Sequence, residues 1–513
     1  MKTKKILYSL FFASLILATA CQKDFLDVTD PNNETTAGFW DVEENLTKAI
    51  TAAYGPLQQD MWWGFWGPTE MWLASNNIRS DETVLNLSWS YFQRIYQYSA
   101  TPNDYPVRSL WFDMYKSIYH SNIILNNQEN IKGNEAYKEK VMGEAYFIRA
   151  YAHFMLLINY GNIILKTELP QGEEDYYQGQ SSMEDVYAQI EKDFKEAKAK
   201  LPQSWPDDFK GRATKGSAAG MLGKALMYQK KYAEAETEFK DVEAMGYSLV
   251  DDYSSLFDGS NENSSESLFE IQYSRSDAKG VDLNEATSSN NILAHKDFFY
   301  NTTDFMHNLY MNDTTATGEP SKRVLGSIVW NDDRANAFFL SNADYHLGVS
   351  SETMTATEYY EEFGLNPNMS FFKKFCYNEE VWGIDNYITE ANYTVLRYAD
   401  ILLMLAEALN EQGRTTDAIP YVNLVRNRAG AVLISSMNQE QLRQHIRHVE
   451  RPLELAIESV RFYDLVRWGN IKSVLGQHNR IHASKFDEGT DEYWPIPRDE
   501  MDSNPNVKQN PGY

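Results

Sequence analysis

The sequence predicts an all-α protein, a scaffold of tetratricopeptide-like helical hairpins carrying long, irregular, aromatic-rich loops. Three observations predict it. Apolar residues recur at helical spacing in several long stretches. One of them, Leu222 to Phe239, follows the small-and-large residue order of a tetratricopeptide unit. Between the periodic stretches lie segments with no helical period but many rings, in a chain whose aromatic content is 14%.

The elements follow in chain order. Phe39 to Gln59 places Leu46, Ile50, Ala53 and Tyr54 on one helical face, whereas Asp60 to Tyr105 reads as irregular and dense in tryptophan. Helical spacing resumes over Leu110–Leu125 and Tyr137–Asn159, with Gly161 as a stop, and again over Met183–Leu201 up to Pro202. In the repeat, Leu222, Gly223 and Leu226 pack the first helix, Tyr232 sits at the turn, and Ala235 and Phe239 face back from the second. A weaker copy runs through Leu405, Ala406, Leu409, Gly413, Ala418 and Val422. Small residues let paired helices approach, and stacked hairpins bury a common face. Leu256 to Tyr393 alternates Ser, Asn, Asp and Gly with rings, so packed loops on a helical frame are expected there. The expected organisation is a leader (1–20), a tether (21–36) and one domain (37–513). Helices fall mainly within 37–60, 108–255 and 393–475, with loop-rich insertions at about 60–105 and 256–392.

The N-terminus reads as a processing signal. Lys2, Lys4 and Lys5 precede an apolar run, Ile6 to Leu17, and Ala18-Thr19-Ala20 then leads into Cys21. The run is shorter than the roughly 20 residues that cross a bilayer. Small residues ending at a cysteine resemble the bacterial lipobox, which makes Cys21 the expected lipidation site; the alternative is an ordinary signal peptide ending near a cysteine. Acyl chains anchor firmly because each buried methylene contributes ~0.8 kcal/mol. The chain has two cysteines, so a lipidated Cys21 leaves Cys376 without a disulfide partner; its apolar surroundings suit a buried thiol. The net charge is −26, and loss of the three leader lysines takes it to −29. Such a field disfavours nucleic acid and anionic lipid as direct partners.

The C-terminal third carries recognisable strings. Leu396-Arg397-Tyr398-Ala399-Asp400 opens a helix that runs to Ala406-Glu407-Ala408, and Val425-Arg426-Asn427-Arg428-Ala429-Gly430 follows. Then come Glu450-Arg451, Glu454-Leu455 and Glu458-Ser459-Val460-Arg461-Phe462-Tyr463-Asp464-Leu465-Val466-Arg467-Trp468, and near the end Trp494-Pro495-Ile496-Pro497 and Asn510-Pro511-Gly512-Tyr513. In this order they resemble the SusD/RagB family of outer-membrane nutrient-binding lipoproteins. Cys21 to Leu26, and Ala145-Tyr146-Phe147-Ile148-Arg149-Ala150 onward to Gly161, extend the likeness over nearly the whole chain. Ser459 stands where the family usually has glycine; serine is nearly as small, so tight helix packing is expected to survive. The resemblance implies helical hairpins, a position outside the cell on the outer membrane, and a lid role over a TonB-dependent barrel of the SusC type. It implies glycan cargo, or peptide in one branch, with no catalysis and no cofactor.

Glu450, Arg451, Glu454, Glu458, Arg461, Asp464 and Arg467 are spaced to pair along a helix at three-residue intervals. Salt bridging holds carboxylates low and away from an acid role, so structural support is expected. His445 and His448 near Glu450 invite a metal, but Arg443, Arg447 and Arg451 surround them; a solvated helix face and no metal are expected. Met61-Trp62-Trp63-Gly64-Phe65-Trp66-Gly67-Pro68 sets three tryptophans among helix and strand breakers. Indole faces suit the flat C–H faces of sugars, so Trp62, Trp63 and Trp66 are candidate ligand contacts, the alternative being rings that plug a loop onto the helices. Trp89, Tyr91, Trp330 and Trp382 are further candidates, and the Asn76 and Asn77 amides suit hydroxyls; Trp111 and Trp468 lie within helical periodicity and are expected in the core. A surface glycoside hydrolase is a third reading, one that needs two carboxylates facing each other across a cleft.

Overall fold

A computed structural model describes residues 36–40, 42–58, 75–85, 90–273, 300–329, 371–372, 374, 392–478 and 480–513. After a single helical turn at Thr36–Phe39, helix α1 (Glu43–Gln58) buries Leu46, Ile50, Ala53 and Leu57 on its expected face, with Tyr54 at the margin. Helix α2 (Ser90–Tyr96) is a correction: it lies in a segment expected to be irregular. Its Phe92, Ile95 and Tyr96 turn inward at helical spacing, but seven residues are too few for the period to stand out. Helix α3 (Tyr105–Asn126) starts five residues before the expected Leu110, because Pro106 suits a first turn. Helix α4 (Glu135–Tyr160) is capped by Asn134, which accepts from Ala136 N and Tyr137 N, and ends at Gly161. Helix α5 (Met183–Lys200) has Ser182 as its cap and acids at its start, lysines at its end, in keeping with the helix dipole.

The repeat forms the hairpin α6 (Lys215–Tyr228) and α7 (Tyr232–Ala244). Its glycine has a steric cause: a Cβ at Gly223 would sit 2.4 Å from the Phe239 ring, so no side chain fits there. Two short helices, α8 (Asp304–Met311) and α9 (Lys322–Ser327), again interrupt a segment expected to lack helix. Thr303 caps α8 by accepting from Met306 N, and Met306 and Tyr310, four apart, face inward. The second repeat copy is the hairpin α10 (Tyr398–Glu411) and α11 (Thr415–Ala429), where Ala418 and Val422 are buried.

Contacts run α1 to α3, then pairwise through α4, α5, α6 and α7, and from α7 to α10 and α11. The stack is therefore continuous although more than 150 residues separate α7 from α10 in sequence. A two-stranded ribbon explains how. Strand β2 (Ser267–Ile271) pairs antiparallel with the strand that enters α10, Tyr393–Arg397, with Ile271 opposite Tyr393. The insertion thus leaves and returns at one neck. A small antiparallel sheet gathers both loop-rich segments. It comprises β1 (Thr83–Leu85), β3 (Tyr300–Thr302), β4 (Ile328–Val329) and β5 (Phe371–Phe372), in the order β1-β3-β5-β4. The ribbon's second strand is β6 (Tyr393–Arg397).

The charged string after residue 445 differs from expectation. It is not one helix: α12 (Gln439–His445) passes through a π-helical turn (Ile446–Glu450) into α13 (Arg451–Leu455). The chain then leaves helix, with Ile457 at φ +54° and Ser459 at φ +60°, before α14 (Arg461–Trp468). Of the three expected intrahelical pairs, Asp464 with Arg467 forms, at 2.8 Å. The others exchange for partners across the fold. Arg397 binds Glu454 at 2.6 Å, Glu266 at 2.7 Å and Glu458 at 2.7 Å. Arg428 reaches Glu454 and Glu266, Lys374 reaches Glu458 at 2.7 Å, and Arg323 reaches Glu450 at 2.5 Å. Arg461 pairs with Asp81, and Arg451 with Asp400 and Asp464. All these groups are buried, and their cationic neighbours hold Glu450, Glu454 and Glu458 below the usual carboxylate range despite burial. Self-neutralisation, the expected theme, is achieved between elements.

Ser459 is likewise corrected. It lies outside any helix; its backbone is left-handed, which is why glycine suits the position, and its N–H and hydroxyl donate to Asn77 Oδ1 at 3.0 and 3.2 Å. The histidines do not form a solvated face either. His445 and His448 are half-buried; His445 Nε2 lies 3.1 Å from Glu450, and burial beside Arg461 lowers His448 to about 4.

Removing one charge from a buried set leaves its partners uncompensated. Glu454→Gln is expected to lower unfolding free energy by about 3–5 kcal/mol. Asp502→Asn, in the exposed Arg498–Asp502 pair, should change it by less than about 1 kcal/mol. Urea titration of both variants checks this contrast.

Candidate ligand-binding face

Two strand-and-helix ends meet at one corner of the stack. The last turn of α1 brings Gln58 to the neck of the insertion, where its Nε2 donates to Gln272 O at 2.9 Å. Asn392, which precedes β6, accepts from Tyr273 N at 2.8 Å and donates through Nδ2 to Gln272 Oε1 and Glu270 Oε2, both at 3.0 Å. Asn263 and Gln272 exchange amide hydrogen bonds at 2.9 and 3.0 Å. Side-chain amides suit this task because each carries both donors and an acceptor. Residues 59–74, with Trp62, Trp63 and Trp66, follow Gln58 directly; the insertion's outgoing and returning ends, Tyr273 and Asn392, are pinned beside it. The four-stranded sheet plays the same part for other segments: Val329 precedes Trp330, and Leu85 precedes the segment that holds Trp89.

Beneath the corner lies a cleft of about 330 Å³, walled by Tyr54 and Gln58 of α1, Arg212, and Phe269 to Tyr273. A second hollow of about 210 Å³ continues past Lys210 and Gly211 to Trp205, Tyr247 and Asn263. Gly211, at φ +94°, lets the chain pass close to the amide corner, since a Cβ there would lie 2.2 Å from Gln272 Cδ. Trp205 is half-buried with its edge fixed, Nε1 donating to Ala213 O at 2.7 Å. Arg212 lies over the Phe209 ring at 4.4 Å and near that of Trp205 at 5.6 Å. Below, Tyr54 accepts from Ala213 N and donates to Glu144, each at 3.0 Å, while Arg212 Nη1 donates to Glu144 at 3.4 Å. Burial pushes the Glu144 carboxyl up to about 7, against the opposing pull of Arg212 and the Tyr54 hydroxyl.

Trp62, Trp63, Trp66, Trp89, Trp330 and Trp382 lie outside the described residues, as do Cys21 and Cys376. Asn76 is corrected: it is 1% exposed, its Nδ2 donates to the Tyr463 hydroxyl at 2.6 Å, and its Oδ1 accepts from Arg79. Asn77 is equally buried and is spent on Ile457 O and Ser459. Tyr91 is half-buried against Phe92 and Tyr105. Trp111 is in the core, while Trp468 is half-buried with Nε1 on Glu407 at 2.6 Å. The sequence reading missed Trp205, Arg212, Asn263, Gln272 and Asn392. Trp205 alone carried a signal, a tryptophan between Pro202 and Pro206 in a helix-to-helix link.

Comparison with known proteins agrees with this fold. A family model described as the SusD family matches residues 265–513, and one described as starch-binding associating with outer membrane matches residues 24–227. SusD-like protein P25 of Formosa agariphila is 25% identical over 495 residues, covering 93% of this chain and 92% of the relative. A SusD-like protein of Bacteroides ovatus is 25% identical over 492 residues, covering 91% and 83%. Among solved structures, a SusD superfamily protein of Bacteroides vulgatus superposes with a TM-score of 0.75 at 24% identity, over 93% of this chain and all of that one. A laminarin-binding SusD-like protein gives a TM-score of 0.73 at 26% identity, over 92% and 100%.

A raised carboxyl makes its own pH test. Glu144 favours the folded state fully below its ordinary 4.5, and that contribution is lost as pH rises through about 7. Glu144→Gln removes the dependence. Between about pH 5 and about pH 8, native protein should lose on the order of 2–3 kcal/mol relative to the variant, by urea titration; parallel pH profiles would contradict the assignment. With both family models and the fold in agreement over nearly its full length, the chain belongs to the SusD/RagB family.

Proposed function

We propose that this protein is a lipoprotein of the outer membrane, anchored through Cys21 and facing the cell exterior, that binds oligo- or polysaccharide on its loop-bearing side. It hands that cargo to a TonB-dependent, SusC-like transporter over which it acts as a lid. The observation that carries the reading is the corner where Gln58 and Asn392 are both tied to Gln272. It starts the tryptophan-rich segment beside both ends of the long insertion, and loops on a rigid frame are where recognition concentrates. Rings for sugar faces and amides for hydroxyls are the chemistry such a ligand needs. The family model described as starch-binding associating with outer membrane, and the similar laminarin-binding protein, support the same class of ligand and the same location.

Among the described residues, the carboxylates that most resemble an acid–base pair give catalysis no support. Asp81 and Glu82 show the divergence of an acid–base pair, the first held low by Arg461 and His478, the second pushed up by burial to about 8. Yet both are sealed, at 0% and 1% exposure, and a hydrolase needs its pair to face a sugar. Their role is structural: Asp81 clamps Arg461 at 2.7 Å, and Glu82 Oε2 accepts from Ile457 N at 3.3 Å.

Isothermal titration of the mature protein against a polysaccharide panel tests the reading. At least one of Trp62→Ala, Trp63→Ala and Trp66→Ala is expected to weaken binding about tenfold, the scale of a lost ring contact of roughly 1–1.5 kcal/mol. Unchanged affinity in all three removes the proposed contacts, binding of peptides alone replaces the cargo, and release of shorter sugars on incubation would make the protein an enzyme.

A further inference from the structure

We propose that the cleft beneath the amide corner takes an anionic group of the glycan, a carboxylate or sulfate, on Arg212. The inference rests on the reading of the protein as a glycan binder and narrows the class of sugar.

Arg212 stands where both hollows meet, with a side chain 13% exposed. Of its guanidinium nitrogens, Nη1 makes two long bonds, to the Tyr137 hydroxyl and to Glu144, both at 3.4 Å. Nε and Nη2 carry no hydrogen bond among the described residues, which sets Arg212 apart from the buried arginines of the fold. Arg149 binds carboxylate through two nitrogens, for instance, and Arg397 through three, at 2.6 to 2.8 Å. An arginine that leaves one edge of its planar fork unused, stacked on Phe209, is preorganised for a two-point contact with a carboxylate or sulfate.

The surrounding charges favour such a group. Lys210 lines both hollows, is exposed and has no ion pair among the described residues; Lys140 lies 5.7 Å from the Trp205 ring. Three carboxylates oppose them. Glu270 lines both hollows, but its oxygens already accept from Asn263 N and Asn392 Nδ2. Asp207 is exposed at the rim of the smaller hollow. Glu144, raised to about 7, neutralises Arg212 only in part near neutral pH. The larger hollow is lined by two cations, Arg212 and Lys210, against one carboxylate, Glu270, a local excess of positive charge on a chain of net charge −26. Trp205 and Tyr54, half-buried beside it, supply apolar faces for the ring that bears the charge.

Matched ligand pairs test this: galacturonate oligosaccharides against the same oligosaccharides with carboxyls reduced to alcohols, and a sulfated galactan against its desulfated form. For at least one pair, the charged member should bind the mature protein about tenfold more tightly, the scale of one charge-assisted hydrogen bond; which pair responds identifies the anion. Arg212→Gln should abolish the ratio while the neutral member's affinity moves less than about threefold, and Arg212→Lys should keep part of it. Should Arg212→Gln fail to fold, Lys210→Gln, at an exposed residue, should reduce the ratio about threefold. Neutral sugars bound with both ratios near one, or a ratio that survives Arg212→Gln, overturns the inference alone. No binding of any glycan overturns the functional reading and the inference with it.

Discussion

The arrangement around Arg397 is the constraint on which the structure depends. A guanidinium removed from water is tolerable only when its donors are met by charge and hydrogen bonds, and here Glu266, Glu454 and Glu458 meet them together. These acids come from the start of the ribbon, from α13 and from the non-helical link that follows. Arg428 of α11 and Lys374 beside β5 complete the set. The need to pair these charges therefore fixes the insertion's neck, the last hairpin and the C-terminal segment relative to one another. It also accounts for the backbone of residues 456–460. Turning Glu458 inward while starting a new helix at Arg461 needs two residues with positive φ, Ile457 and Ser459, and Asn77 holds the second of them.

That rigidity bears on function through geometry. The ribbon brings both ends of the insertion to the last turn of α1, and the small sheet joins β1, from the first loop-rich segment, to three strands of the second. Segments read separately in sequence thus share one frame. A glycan presents flat apolar faces and many hydroxyls, so recognition needs rings and amides held at fixed spacing, and preorganised stems reduce the ordering cost of binding. The cleft under the corner is part of this frame, walled by α1, the α5–α6 link and β2.

Long helices were legible because burial imposes a period: α4 and α5 lie within two residues of their expected bounds. The repeat was legible because Gly223 and Phe239 must touch. Where the period failed, the cause was physical. Strands of two to five residues are too short to show alternation, and α2, α8 and α9 span few turns. The charged string looked helical since its spacing is three, yet its partners come from elsewhere in the chain, and neither the π turn nor the positive-φ residues leave a periodic trace. The family's glycine at position 459 was the one clue to that backbone. Asn76 illustrates the opposite error: an amide beside a tryptophan-rich loop reads as a sugar contact, but Tyr463 and Arg79 draw it inside. Arg212 and Asn392 have no distinguishing neighbours in sequence; only folding brings them to one cleft.

A crystal structure of the mature protein with a bound oligosaccharide tests most directly whether the frame presents the ligand. Sugar is expected on the side bounded by Gln58, Gln272 and Asn392, in contact with rings from 59–74 or from the insertion. Sugar seated instead on the outer face of the helical stack, as in the charged hollow of about 440 Å³ beside Glu191, Lys195 and Lys231, would contradict it.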